Sequence, residues 1–210
     1  MLFAYALLFS LAYIELTTGT GALILFAAVQ LTMISISLLK GNRPSPKVWM
    51  GVALAFGGLV YLLLPGITAP PLISAAMMAG AGMAWGIYSI LGKKAHNPSV
   101  ATARNFLYTL PFIGLLITIS SIGNPTNEGI ILAVISGSIT SGLGYLLWYK
   151  VLKHITTITA AIVQLFVPII AAIGGVLFIS EGVSTRLIIA SLLILSGIWL
   201  TIKAGQKTSD

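Results

Sequence analysis

In a chain of 210 residues, 58% are apolar and only 7% charged, at a mean hydropathy of +1.05. A soluble domain carries about 25% charged residues, so the composition excludes a water-soluble globule and indicates a polytopic membrane protein. The net charge of +7 would point to nucleic acid in a soluble chain, but here Lys and Arg collect in loops on one side of a membrane and no nucleic-acid partner is expected. The chain has no cysteine, which leaves no disulfide or thiol chemistry.

Eight apolar segments follow in chain order: 2–15, 20–39, 47–64, 73–92, 104–121, 128–149, 157–179 and 186–203. Most reach the ~20 residues that cross a ~30 Å hydrocarbon core as a helix. The first lacks a basic leader and a small-residue cleavage pattern, so it reads as a mature segment rather than a signal peptide. At 1.5 Å per residue it is only about 21 Å long. None of the runs alternates apolar with polar residues, which excludes a strand barrel. The connections carry turn chemistry, as in Asn42-Arg43-Pro44-Ser45-Pro46, Leu64-Pro65-Gly66, Ala69-Pro70-Pro71 and Gly123-Asn124-Pro125-Thr126. Ser45 and Ser184 read as N-caps of the helices that follow them. The predicted fold is an all-α polytopic transmembrane helix bundle of about eight helices.

Alternating the loops across the membrane places Lys40, Arg43, Lys47, Lys93, Lys94, Arg104, Lys150, Lys153, Lys203 and Lys207 on one side and Arg186 alone on the other. The basic side is the cytoplasm, so both termini are expected there, with Glu15, Glu128 and Glu181 on the outer face.

The chain also repeats itself. Thr17-Thr18-Gly19-Thr20-Gly21-Ala22 aligns with Thr156-Thr157-Ile158-Thr159-Ala160-Ala161, and the same shift carries Ser45 onto Ser184, Leu54 onto Leu193 and Gly58 onto Gly197. An odd number of helices separates the copies, so they insert in opposite senses, the inverted-repeat arrangement of secondary transporters. The domains are then an incomplete first repeat of three helices, 1–64, and a second of five, 73–204. Because Met1 aligns with Thr140, inside the helix starting near Glu128, the chain looks like a five-plus-five transporter beginning within its third helix. A true eight-helix protein with a re-entrant or interfacial first segment remains the alternative.

No charged residue lies in the middle of any span, which argues against proton exchange through a buried carboxylate here. The mid-span amides Gln30 and Gln164 are candidate substrate contacts, or interhelical hydrogen bonds. They are not repeat partners, since Gln30 aligns with Ile169 and Gln164 with Leu25. Trp85 and Tyr88 share a helix face and are candidates for the substrate path, as are Asn105 and Tyr108. Trp148 and Tyr149 beside Lys150 look like an interfacial aromatic belt. Pro111 and Pro168 are mid-span and predict helix kinks. The pairs Gly82/Gly86, Gly137/Ser141 and Ser138/Gly142 predict close helix contact. With no strand before them and no Lys-Ser/Thr after them, these runs are not phosphate loops. His96 and His154 have no partner ligands for a metal, and Ser, His and acid never converge, so neither a metal site nor an enzyme is expected.

A three-helix unit with a Gly-Glu-type turn and a small-residue-rich last helix resembles the EamA-like repeat of the drug/metabolite transporter superfamily. The second copy runs from Thr156 to Ile202, with Ile179-Ser180-Glu181-Gly182 at the turn and Ser196-Gly197-Ile198-Trp199 in the last helix. The first runs from Thr17 to Leu63, with Lys40-Gly41-Asn42 at the turn and Gly57-Gly58-Leu59 near the end. Asn42 stands where the pattern has an acid. The resemblance implies a bacterial inner-membrane secondary transporter, an exporter of small metabolites, amino acids or drugs by alternating access. It implies no cofactor, and partners limited to a small-molecule substrate and the lipid bilayer, with a homo-oligomer left open. The alternative function is a transport-incompetent fragment or an assembly subunit.

Overall fold

The computed structural model describes residues 1–64, 69–119, 126–178 and 184–206. The regular structure among these residues is all helical, with no strand among them. The helices are α1 (Leu2–Ala12), α2 (Thr18–Leu39), α3 (Pro46–Leu63), α4 (Leu72–Lys93), α5 (Pro98–Leu107), α6 (Leu110–Ile119), α7 (Asn127–Ile135), α8 (Gly144–Leu152), α9 (Thr157–Val163), α10 (Phe166–Phe178) and α11 (Thr185–Gln206). A π-helical segment, Ser136–Leu143, joins α7 to α8. Pairing α5 with α6, α7 with α8, and α9 with α10 gives, among the described residues, 7 helices long and apolar enough to cross a membrane. α1 is shorter, 11 residues or about 16 Å.

The repeated threonines are helix caps. The Thr17 hydroxyl accepts from the Thr20 N–H at 3.4 Å, and the Thr156 hydroxyl accepts from the Thr159 N–H at 3.1 Å. In each case the two hydroxyls also bond to each other, at 3.0 and 2.8 Å. The same Thr-Thr-x-Thr pattern therefore opens α2 and α9 with the same hydrogen bonds. Ser184 caps α11 by accepting from the Leu187 N–H at 3.1 Å. Ser45 makes no such bond; Pro46 at the first helical position sets the start of α3 instead.

The end of α2 is a Schellman turn. Gly41 takes φ +83°, its N–H bonds to the Leu38 carbonyl at 2.9 Å, and the Asn42 N–H bonds to the Ser37 carbonyl at 3.2 Å. Asn42 also donates from Nδ2 to the Ser37 hydroxyl at 3.1 Å, so the residue that departs from the acidic pattern is part of the turn. The predicted turn acid Glu181 lies outside the described residues, as does Lys207.

Small residues decide which helices touch. A Cβ on Gly197 of α11 would lie 2.5 Å from the Ala55 nitrogen and 2.6 Å from the Gly51 carbonyl oxygen of α3. A Cβ on Gly82 of α4 would lie 2.6 Å from the Leu25 carbonyl oxygen of α2. α1 packs on the other side of α4. Val29, Met33, Met78, Ala81, Tyr88 and Tyr149 form the core between these elements, and Ala55, Leu59, Ile162, Leu165 and Ile194 a second core under α3 and α11.

Two expectations need correction. The span predicted from residue 104 starts at Pro98, because the Asn97 side chain accepts from the N–H groups of Ser99 and Val100 and caps α5. The run from Gly137 to Gly142 mediates no close packing: no described atom lies within 4 Å of a Cβ placed on Gly137, and α7 and the π-helical segment bury no residue. There Ser138 and Thr140 bond back to the Val134 and Ser136 carbonyls at 2.5 and 2.6 Å, the local competition that loosens a helix ladder.

Candidate functional site

Gln164 stands at the break between α9 and α10. Pro168, one turn later, has no N–H to offer the Gln164 carbonyl, which accepts from the Val167 N–H at 3.1 Å instead, while the Leu165 N–H reaches Ile162 at 3.0 Å. The interruption is local, and helix resumes at Phe166. The Gln164 side chain is buried and fully employed. Its Nε2 donates to the Ala160 carbonyl at 3.0 Å and contacts the Met33 sulfur at 3.5 Å, while its Oε1 accepts from the Trp85 indole N–H at 2.5 Å. One amide thus connects α2, α4 and α9.

Trp85 is the centre of an aromatic cluster. It stacks on Tyr88 at 5.4 Å and meets Tyr5 of α1 at 4.9 Å and Tyr145 of α8 at 5.0 Å. Beside the Trp85–Gln164 pair lies a cavity of about 820 Å³. Tyr5 and Phe9 of α1, Tyr13 just past its end, Trp148 of α8, and Pro168 and Ala171 of α10 are among its walls. No charged residue lines it among the described residues. Apolar walls with a few converging polar groups are the usual character of a small-molecule site.

On the other side of the cluster is a smaller cavity of about 200 Å³, lined by Tyr88, Asn105, Tyr108, Thr109 and Tyr149. Asn105 donates from Nδ2 to the Tyr149 hydroxyl at 3.1 Å, and that hydroxyl donates to the Tyr88 carbonyl at 3.3 Å. The buried Tyr88 hydroxyl has no hydrogen-bond partner among the described residues. Tyr108 is exposed beneath the Arg104 guanidinium, 5.9 Å from its ring. It also marks the break between α5 and α6, one turn before Pro111, where the Thr109 hydroxyl bonds the Phe106 carbonyl at 2.7 Å.

The candidates are therefore distributed. Gln164 and Trp85 share the large cavity; Tyr88, Asn105 and Tyr108 line the small one; Trp85–Tyr88 stacking joins the two. Gln30 lines neither, being 4% exposed with its Nε2 unpartnered among the described residues. The cavity-facing stripe of α2 is Ala22, Leu25, Phe26 and Val29, and Gln30 lies a helical step of about 100° beyond it.

Trp148 and Tyr149 are not an interfacial belt. Tyr149 is 2% exposed, and Trp148 donates its indole N–H to the Ser89 hydroxyl at 3.0 Å. Both rings turn inward because α4 supplies acceptors for their polar tips. With Tyr145 they fall at i, i+3 and i+4, one helix face, and Tyr5, Phe9 and Tyr13 follow the same rule along α1 and its C-cap. That periodicity was the signal for the residues missed from sequence. His96 accepts from Lys153 at 2.8 Å through its backbone carbonyl, and no cluster of metal-ligating side chains occurs among the described residues.

The sequence pattern of the EamA-like transporter family matches residues 72–203. The chain belongs to the EamA-like transporter family. An uncharacterized protein of Pseudomonas aeruginosa is 45% identical over 95% of this chain and 70% of its own length. The threonine/homoserine exporter RhtA of Escherichia coli K12 is 27% identical over 84% of this chain and 62% of its own length. A protein crystal structure superposes with a TM-score of 0.83 at 20% identity, covering 100% of this chain and 75% of the other, which places the two in one fold. As an EamA-family member, the chain is a multi-pass membrane protein of the small-molecule transporter class.

Proposed function

We propose that the chain exports a small, net-neutral polar metabolite across the bacterial inner membrane by alternating access, with both termini in the cytoplasm. The substrate station is the cavity beside Trp85 and Gln164. The observation that carries this reading is the Trp85–Gln164 hydrogen bond on the wall of a large aromatic cavity whose lining comes from α1–α3 and from α4, α8, α9 and α10. Residues 1–64 and 73–204 act as the two repeats that rock about this station. The helix breaks before Pro111 and Pro168 serve as hinges.

Cavity chemistry narrows the cargo. Walls without fixed charge disfavour a net ion, whereas wall hydroxyls, and the Gln164–Trp85 pair once a substrate exchanges for one of its partners, can pair a zwitterion's termini. RhtA bears the name of a threonine/homoserine exporter, and small neutral amino acids of that kind fit the proposed station.

The test is substrate flux in proteoliposomes. Gln164→Leu removes the Trp85 partner and leaves an indole N–H unpaired, so uptake of a small neutral amino acid should fall about tenfold. Gln164→Glu, which keeps the acceptor, should retain more of it. Flux unchanged in Gln164→Leu would refute the assignment.

A further inference from the structure

A separate cavity of about 450 Å³ lies at the end of the bundle where the basic turns gather. It is enclosed by the α2–α3 turn, the last turn of α4, the start of α9 and Gly205 of α11, and shares no lining residue with the aromatic cavity. Arg43 enters it from the turn and Lys93 from α4. Lys93 is half-buried, and its ammonium donates to the Ile155 carbonyl, which holds it at the wall and leaves two N–H groups free to bind something else. Lys40 lies near enough that its charge acts on Lys93. The rest of the lining carries no charge and mixes polar residues, Ser37, Asn42, Thr156 and Thr157, with apolar ones such as Val48 and Ile158.

No carboxylate among the described residues answers these cations. Glu15 bonds Ser74 at the opposite end of α4, about 28 Å from Lys93 along the helix axis. Glu128 sits in the first turn of α7 and lines no part of this cavity. The positive-inside bias accounts for basic residues on exposed loops. It does not account for an ammonium drawn into a concave wall beside a second cation.

We propose that this cavity binds a phosphate-type oxyanion, carried by an acidic phospholipid headgroup at the membrane surface or by a free phosphate-bearing solute. The guanidinium fork of Arg43 can grip two oxygens, while the free N–H groups of Lys93 and the Thr157 hydroxyl reach the others. Basic pockets between membrane helices suit anionic headgroups, and a bound anion would also relieve the repulsion between Lys40 and Lys93.

The experiment titrates the purified full chain in neutral detergent by calorimetry, using short-chain phosphatidylglycerol, short-chain phosphatidylcholine and inorganic phosphate. Saturable binding of phosphatidylglycerol without phosphate binding assigns the headgroup; phosphate binding that competes with phosphatidylglycerol assigns the free anion. In either case Arg43→Gln and Lys93→Gln should weaken it about tenfold each, and Lys150→Gln, outside the cavity, should leave it unchanged. Arg43 is exposed on a turn, so that variant decides the matter even if Lys93→Gln fails to fold. The proposal is overturned by the absence of binding to either anion, by phosphatidylcholine binding as tightly as phosphatidylglycerol, or by equal loss in Lys150→Gln.

Discussion

The carbonyl of Gln164 faces a residue with no N–H to give, and that local deficit shapes the site. Without Pro168 the ladder would run unbroken from α9 into α10. With it, the chain steps aside for one turn and Gln164 meets Trp85 and Met33. Tyr149 does comparable work at the smaller cavity, where its hydroxyl accepts from Asn105 and donates to the Tyr88 backbone. Tyr149→Phe keeps the ring and removes both bonds. Interhelical hydrogen bonds in membrane proteins contribute about 0.6 kcal/mol on average and up to about 1.7. The substitution should therefore lower stability by about 1 kcal/mol, read as a reduced melting temperature in detergent. An unchanged melting temperature would show that the Asn105–Tyr149–Tyr88 chain contributes nothing to stability.

Among the elements, α3 against α11 and α2 against α4 set the architecture, and glycine sets both distances. Gly197→Leu would push a branched side chain into the Gly51 and Ala55 backbone; overpacking of this kind costs about 1–3 kcal/mol, and more where backbone is the obstacle. Gly137→Leu meets open space and should leave the stability within about 0.5 kcal/mol of the parent value, with little change in melting temperature. Equal effects of the two would contradict the packing described. These elements also show what the sequence could and could not convey. Apolar length marked the spans, the Thr-Thr-x-Thr repeat marked two corresponding segments without showing that its threonines cap helices, and Gly82 with Gly86 marked a contact face, because each signal acts within one or two helix turns. The fates of Gln30, Trp148 and the Gly137–Gly142 run depended on which neighbour each helix met. An amide one step off the cavity stripe, an indole that finds Ser89 and a small-residue run that finds no helix look alike in a linear sequence. The Asn97-Pro98 cap was legible and carries the start of α5 upstream of the apolar run.

For the whole molecule, the two sequence-related segments meet at a crossing of their last helices, and the aromatic cavity lies among helices from both. The basic cavity at one end and the Glu15–Ser74 contact at the other give the bundle unlike ends. The central claim is that the aromatic cavity is the path of a small neutral solute. The absence of cysteine makes this directly measurable, since a single introduced thiol is the only one present. Ala171→Cys, on the cavity wall, and Leu192→Cys, on an exposed apolar face, would each be reconstituted in liposomes and treated with a membrane-impermeant maleimide, with and without a transported amino acid. Ala171→Cys should react, the amino acid should slow that reaction, and Leu192→Cys should stay unlabelled in both conditions. Equal protection of both cysteines, or labelling of Ala171→Cys that substrate leaves unchanged, would contradict the account.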